Sequence, residues 1–272
     1  MIVGVTDSDR FLYHYTSART AIDFILKNRT LRFSSYTNTN DPTERKRWLF
    51  DFWTNEGRDL SGYFQLEQSG WLSTALKDRT FLACFSRDEA GLTGDHMSDI
   101  ALRGFCKPRM WAQYGDNHKG VCLVFLRDRI ESLIDHQFSS SHIIASGPVR
   151  YLNRGIARNL DEQQYTINVD SLETVGRDAY FRLHLQTHFR QLFFEKMTDW
   201  RGENEWRCLL FSEATEPLYL GVEGALVGVL FGDETAEEHR QQIKELNRGM
   251  GVDYRRLSWK NCSPWYDFTE GV

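Results

Sequence analysis

The sequence predicts an α+β fold, and two observations carry that prediction. Short apolar runs of strand length recur along the chain with helices placed irregularly between them, and the last third is strand-rich. Neither a G-x-G-x-x-G after the first strand nor a Walker-type G-x-x-x-x-G-K occurs, so no Rossmann or P-loop nucleotide site is signalled.

The elements follow in order. Phe11 to Tyr15 alternates as a strand, with Phe11, Tyr13 and Tyr15 on one face and Leu12 and His14 on the other. Thr16 or Ser17 caps a helix whose apolar stripe is Ala18, Ala21, Ile22, Ile25 and Leu26, ending near Asn28. Thr30 to Ser34 is a second strand. Asp41 caps a helix that Pro42 opens. Thr80 to Ser86 is a buried strand, a helical turn spans Met110 to Tyr114, and Val121 to Leu126 is the next strand. Val149 to Leu152 is a short strand, and Leu172 to Lys196 reads as the longest helix. Strands are expected at Glu205 to Phe211, Pro217 to Leu220 and Ala225 to Phe231. A helix from Ala236 to Arg248 and a strand from Val252 to Trp259 close the chain.

With 272 residues, 41% hydrophobic and 26% charged, and no Pro/Gly/Ser-rich linker or repeat, a single domain over 1–272 is expected. The N-terminus has no basic n-region or apolar h-region, and no apolar run approaches the roughly 20 residues that span a bilayer. Five cysteines without C-x-x-C spacing read as reduced thiols, so a cytoplasmic protein without a membrane partner is expected. A net charge of −5 argues against affinity built on broad phosphate neutralisation. Arg45-Lys46-Arg47, with Arg150, Arg154 and Arg158, leave a local basic groove open, although such runs are usually solvated faces.

Candidate chemistry lies in a few residues. Glu203-x-Glu205 stands before an apolar strand, where a carboxylate suits general-base work or stabilisation of an oxocarbenium-like ribose. The plain alternative is that Glu205 pairs with Arg207 on the same strand face and ties the sheet together. His14 among tyrosines fits a core histidine as well as a functional one. Trp111 and Tyr114 suit core packing or stacking on a planar ring. Cys84 lies mid-strand, where a thiol is inert, and His14, Asp41 and His118 lack metal-ligand spacing, so no metal is expected.

The order of segments resembles a bacterial family, domain of unknown function 2971. The pieces that carry it are Leu12-Tyr13-His14-Tyr15-Thr16, Leu31-Arg32-Phe33-Ser34, Asn40-Asp41-Pro42-x-Glu44 and Ala83-Cys84-Phe85-Ser86. They continue with Met110-Trp111-Ala112-x-Tyr114, His118-x-Gly120-Val121-Cys122, Phe194-x-Lys196, Trp200-x-x-Glu203-x-Glu205-Trp206-Arg207 and Val227-Gly228-x-x-x-Phe231-Gly232. The resemblance spans Phe11 to Trp259. That family in turn looks like a distant branch of the ADP-ribosyltransferase superfamily, which implies a split β-sheet core with flanking helices and NAD as substrate.

The resemblance implies a role for each residue. His14, with Tyr15 and Thr16, would hold an NAD ribose. Ser86, or Tyr114 in its place, would stand near the nicotinamide. Glu205 would act on the ribose being transferred, with Glu203 nearer the acceptor. Asn40, Trp111 and Arg207 would complete the NAD contacts. The chain departs from better-known branches in having no Ser-Thr-Ser run on the middle strand. The expected activity is ADP-ribosyl transfer to a protein or nucleic-acid acceptor, as in an antiphage or toxin-type effector. The alternatives are an NAD glycohydrolase and a non-catalytic nucleotide- or partner-binding module.

Overall fold

A computed structural model describes residues 2–63, 70–153, 162–214 and 216–267. In chain order the strands among them are β1 (Phe11–Thr16), β2 (Thr30–Ser35), β3 (Asp51–Trp53), β4 (Thr80–Ser86), β5 (Val121–Leu126), β6 (Ile143–Pro148) and β7 (Arg150–Tyr151). They continue as β8 (Thr166–Asn168), β9 (Glu195–Lys196), β10 (Glu205–Phe211), β11 (Leu218–Gly221), β12 (Leu226–Phe231), β13 (Asp253–Lys260) and β14 (Ser263–Asp267). The expected α+β class holds.

Ten of these strands form one sheet, in the order β11-β2-β4-β1-β5-β12-β13-β14, with β10 joined to β4 and to β6. The parallel β12–β13 pair flanks a helical connection, Glu237–Leu246, and the other pairings of this sheet are antiparallel. β10 pairs along the full length of β4, from Glu205↔Ser86 to Phe211↔Thr80. The other edge of β4 is divided. β1 takes its end at Tyr13↔Ser86, and β2 takes its beginning at Ser34↔Leu82 and Ser35↔Phe81. Between them Ala83 to Phe85 has no strand partner on that side, and the sheet splits.

The helical segment that separates β1 from β2 explains the divergence. Ser17 caps it by accepting from the Thr20 N–H at 3.0 Å, and Ala18–Thr20 runs on as a π-helical stretch, Ala21–Leu26. Its Ala18, Ala21, Ile22, Ile25 and Leu26 pack on the first face of the sheet with Leu12, Phe81, Ala83, Phe85, Trp206, Cys208 and Leu210. The same layer takes in Ile130, Ile134 and Phe138 of helix Arg127–Phe138. Burying each such large apolar side chain is worth roughly 1.5–3 kcal/mol, so this cluster contributes strongly to cohesion.

The second face is built differently. Alternation along β4 and β10 sends Leu82, Leu209 and Phe211 into a cluster with Leu185, Leu192 and Phe193 of helix Arg177–Phe193. Tyr13, Tyr15, Cys122 and Val124 enter another cluster, with Phe105, Met110 and Trp111. Between the two clusters the same alternation delivers Cys84, Ser86, Glu205 and Arg207. A polar seam therefore interrupts the core where the sheet splits.

Several local expectations are corrected. The helix expected from Leu172 to Lys196 is two helices, Val169–Val175 and Arg177–Phe193, broken at Gly176, whose φ of 77° no helix accommodates. Lys196 leaves the helix and pairs, within β9, with β7. The helix that Asp41 caps and Pro42 opens is a single turn, Pro42–Arg45. Of the basic groove, Arg154 and Arg158 lie outside the described residues, and Arg150 is exposed beside Glu195 at 3.8 Å. Among the described residues no helix is long and apolar enough to cross a membrane.

Candidate active site

The split in the sheet opens into a cavity of about 230 Å³ on the seam. Its walls come from β1, β2, β4 and β10, from Asn40 and the helical turn that carries Glu44, and from Tyr114 and Lys196. Across the mouth of the split, the His14 Nδ1–H donates to the Cys84 carbonyl at 3.2 Å, replacing a strand hydrogen bond. A carbonyl only accepts, so the proton sits on Nδ1 and Nε2 keeps a lone pair. Burial pushes the His14 pKa down, against the pull of that hydrogen bond, and the ring is neutral.

Five charged side chains form the floor. Arg207, wholly buried, gives Nε to Glu205 Oε1 at 2.7 Å, Nη2 to Glu205 Oε2 at 3.2 Å and Nη1 to the Phe193 carbonyl at 2.6 Å. Its Nη2 also lies 2.6 Å from Glu44 Oε1. Lys196 Nζ reaches Glu203 Oε2 at 2.7 Å and Glu205 Oε2 at 3.0 Å. The Tyr114 hydroxyl donates to Glu203 Oε1 at 2.8 Å. Three carboxylates thus surround two cations.

This imbalance shapes the ionisation. Burial drives the Glu205 carboxyl upward, but Arg207 and Lys196 outweigh it and hold the group well below the usual carboxylate range. Glu44 goes the other way: burial raises its pKa, and Arg207 and Lys196 only partly offset it. Lys196 is desolvated too, yet Glu205, Glu44 and Glu203 keep it firmly protonated. Burial next to Glu205 also lifts the Cys84 thiol far above its ordinary value, so it is inert as a nucleophile.

Backbone geometry brings the two late glutamates together. A 3₁₀ turn, Thr198–Glu203, ends at Asn204 in the left-handed region, φ 43° and ψ 56°, and β10 starts at the next residue. Asn204 is fastened to the end of β4: its Nδ2 donates to the Asp88 carbonyl at 2.9 Å, and its carbonyl accepts from the Arg87 N–H at 3.0 Å. The Ser86 hydroxyl donates to the Glu203 carbonyl at 2.6 Å. On the other side Tyr15 donates to the Gly104 carbonyl at 2.8 Å. Only glycine fits at position 104, because a Cβ would stand 2.3 Å from the Tyr13 ring.

Of the residues singled out from sequence, His14, Tyr15, Asn40, Ser86, Tyr114, Glu203, Glu205 and Arg207 line this one cavity. Trp111 and Thr16 do not. The Trp111 indole is fully buried, donates to the Phe105 carbonyl at 2.8 Å and stacks on His118, so no ring of a ligand can reach it. Thr16 has passed the split and pairs with Val121. Sequence reasoning assigned no role to Lys196, Glu44 or Arg32, all of which line the cavity. The available signal was a basic residue two places after Phe193-Phe194 for Lys196, and a carboxylate inside a capped turn for Glu44.

Residues 110–208 match a protein family described as a protein of unknown function, DUF2971. That stretch contains Tyr114, Lys196, Glu203, Glu205 and Arg207, and the description assigns no activity. No curated protein and no solved structure matches the chain.

Proposed function

We propose that this chain is an NAD-dependent ADP-ribosyltransferase that works at the split of the sheet. The observation behind it is that one cavity is lined by a neutral His14 from β1, Ser86 from β4 and an ionised Glu205 from β10. Breaking the nicotinamide–ribose bond builds positive charge on the ribose, and the nicotinamide leaves neutral without a general acid. An ionised carboxylate fixed before the substrate arrives is what that charge requires. His14 Nε2 offers an acceptor for a ribose hydroxyl. A cavity of about 230 Å³ falls below the roughly 300–1,000 Å³ of sites for drug-sized ligands, so it takes the nicotinamide–ribose end. Arg32, exposed at its rim, then faces the diphosphate.

A second reading, a nucleotide-binding module without turnover, draws support from Glu205 having both oxygens already held by cations. One experiment separates them. The purified chain is incubated with NAD labelled in the adenine part, and nicotinamide release is followed beside label incorporated into protein, DNA and RNA. Transfer predicts both signals, and Glu205→Gln lowers release by about 10²–10³-fold, as loss of a preorganised electrostatic group does. Release without incorporation makes water the acceptor. Saturable NAD binding with no release selects the binding module, and neither binding nor release overturns the reading.

A further inference from the structure

The charged floor contains one carboxylate more than the Glu203-x-Glu205 pair supplies, and it is held differently from the other two. All four carboxylate oxygens of Glu203 and Glu205 are engaged, by Tyr114, Lys196 and Arg207. Glu44 is not. Its Oε1 touches Arg207 without an aligned hydrogen bond, and its Oε2 has no hydrogen-bond partner among the described residues, although the side chain is 6% exposed. Leaving a buried carboxylate oxygen unmatched costs stability, about 1–3 kcal/mol for an ordinary polar group and more for a charged one.

The turn that carries Glu44 is built to hold it there. Asp41 caps Pro42–Arg45 by accepting from the Thr43 N–H at 2.8 Å. Buried Lys77 then donates its Nζ to the carbonyls of both Glu44 and Lys46, and lies 4.3 Å from the Trp48 ring centroid. A buried lysine spent on fixing the backbone of a one-turn helix points to a side chain whose position matters.

The geometry points to Glu44 as the catalytic base of this cavity, the group that accepts the proton of the attacking acceptor. The assignment rests on the ADP-ribosyl-transfer reading above and replaces Glu203 in that role. The acceptor's X–H attacks C1′ of the ribose and a C1′–X bond forms. The C1′–N bond breaks with its electron pair going to the pyridinium nitrogen, which becomes neutral, and the proton of X passes to Glu44. Glu203, locked between Tyr114 and Lys196, is then a positioning residue for Lys196.

The test compares wild type, Glu44→Gln, Glu44→Asp and Glu205→Gln for nicotinamide release, NAD affinity and unfolding midpoint, with and without azide. Azide is a nucleophile with no proton to surrender. Glu44→Gln should release nicotinamide about 10²–10⁴-fold more slowly, the usual worth of a general base, with NAD affinity retained. Azide should restore its rate and yield ribosyl azide, but should not rescue Glu205→Gln. If Glu44→Gln does not fold, Glu44→Asp, with its carboxylate set back, should be slowed and restored by azide in the same way. A Glu44→Gln rate equal to wild type, or a loss azide cannot restore, overturns the assignment while the transfer reading stands. A wild type that releases no nicotinamide overturns both.

Discussion

Two buried ionic assemblies sit a few residues apart on the same side of the sheet, and they are built on opposite principles. Asp88 and Arg103 are wholly buried at 2.9 Å, one charge against one. The second Asp88 oxygen accepts from the Gly104 N–H at 2.7 Å, and Arg103 gives another N–H to the Val5 carbonyl at 2.8 Å. Neither Asp88 nor Arg103 lines the cavity at the split. Around Arg207 the charges number three against two, one carboxylate oxygen is unmatched, and a cavity opens beside them. Burial of charge is expensive in both places. The closed pair balances one charge with one, engages both Asp88 oxygens and pins a loop; the open cluster leaves a carboxylate oxygen free to meet a ligand.

The largest expected effect tests that contrast directly. Arg103→Met strands the Asp88 carboxylate and should cost about 3–5 kcal/mol, read from the shift in urea midpoint. Lys196→Met also strands carboxylates, but beside a cavity that water can fill, and should cost clearly less. Equal losses would dissolve the distinction between a closed pair and an open site.

Acid should separate the two assemblies by sign. Burial holds the Asp88 pKa above its ordinary value, so its contribution to stability is fuller at low pH and is lost as pH rises. Glu205 lies on the other side: its contribution is present above the unfolded value, about 4.3, and is lost as pH falls through its depressed folded value. Glu205→Gln should therefore flatten the acid limb of stability below pH ~5, and Asp88→Asn should not. Both act on a background set by His184, which burial and neighbouring His188 push down to about 4. A histidine kept neutral in the fold stabilises above its unfolded pKa, so between the ordinary value of 6.5 and about 4 the protein should lose on the order of 2–3 kcal/mol. Urea midpoints of His184→Phe across that range check it, because the variant should lack the slope.

The smallest effect concerns the joint between the glutamates. Asn204→Ala places an ordinary residue in the left-handed region and deletes the side-chain bonds to the end of β4, a cost of about 1–2 kcal/mol. Asn204→Gly should keep the backbone and recover part of it. A stability loss without any change in the Arg207 cluster's activity would mean that the turn and the site are independent.

The sequence exposes the strands well and the site only in part. β4, β5 and β10 fall where their apolar runs put them, because short stretches in which five to seven residues are buried admit little else. β6 escapes notice: Ile143–Pro148 ends in Ser, Gly and Pro, as an edge strand tolerates, and reads as loop until its pairing with β10 is seen. Helix Arg127–Phe138 follows β5 without a side-chain cap, so nothing local announces its start. Glu205 and Arg207 were legible through their alternation, as was the possibility that they pair; they do pair, and they also line the cavity. Glu44 and Lys196 were visible only as members of a motif. Their meeting depends on a one-turn helix and a two-residue strand, elements too short for periodicity to register.

The register of β10 on β4 has a consequence in time as well as space. Glu205 lies opposite Ser86, so the strand that carries Glu205 and Arg207 is made long after the strand it must join. Pairings this distant along the chain form slowly, since the loop between them must be closed before any contact rewards it. While the chain is being synthesised, β1, β2 and β4 can come together with no Glu205 or Arg207 beside them. Pairing of β10 is therefore expected late in folding, and a chain that stops short of β10 lacks Glu205 and Arg207.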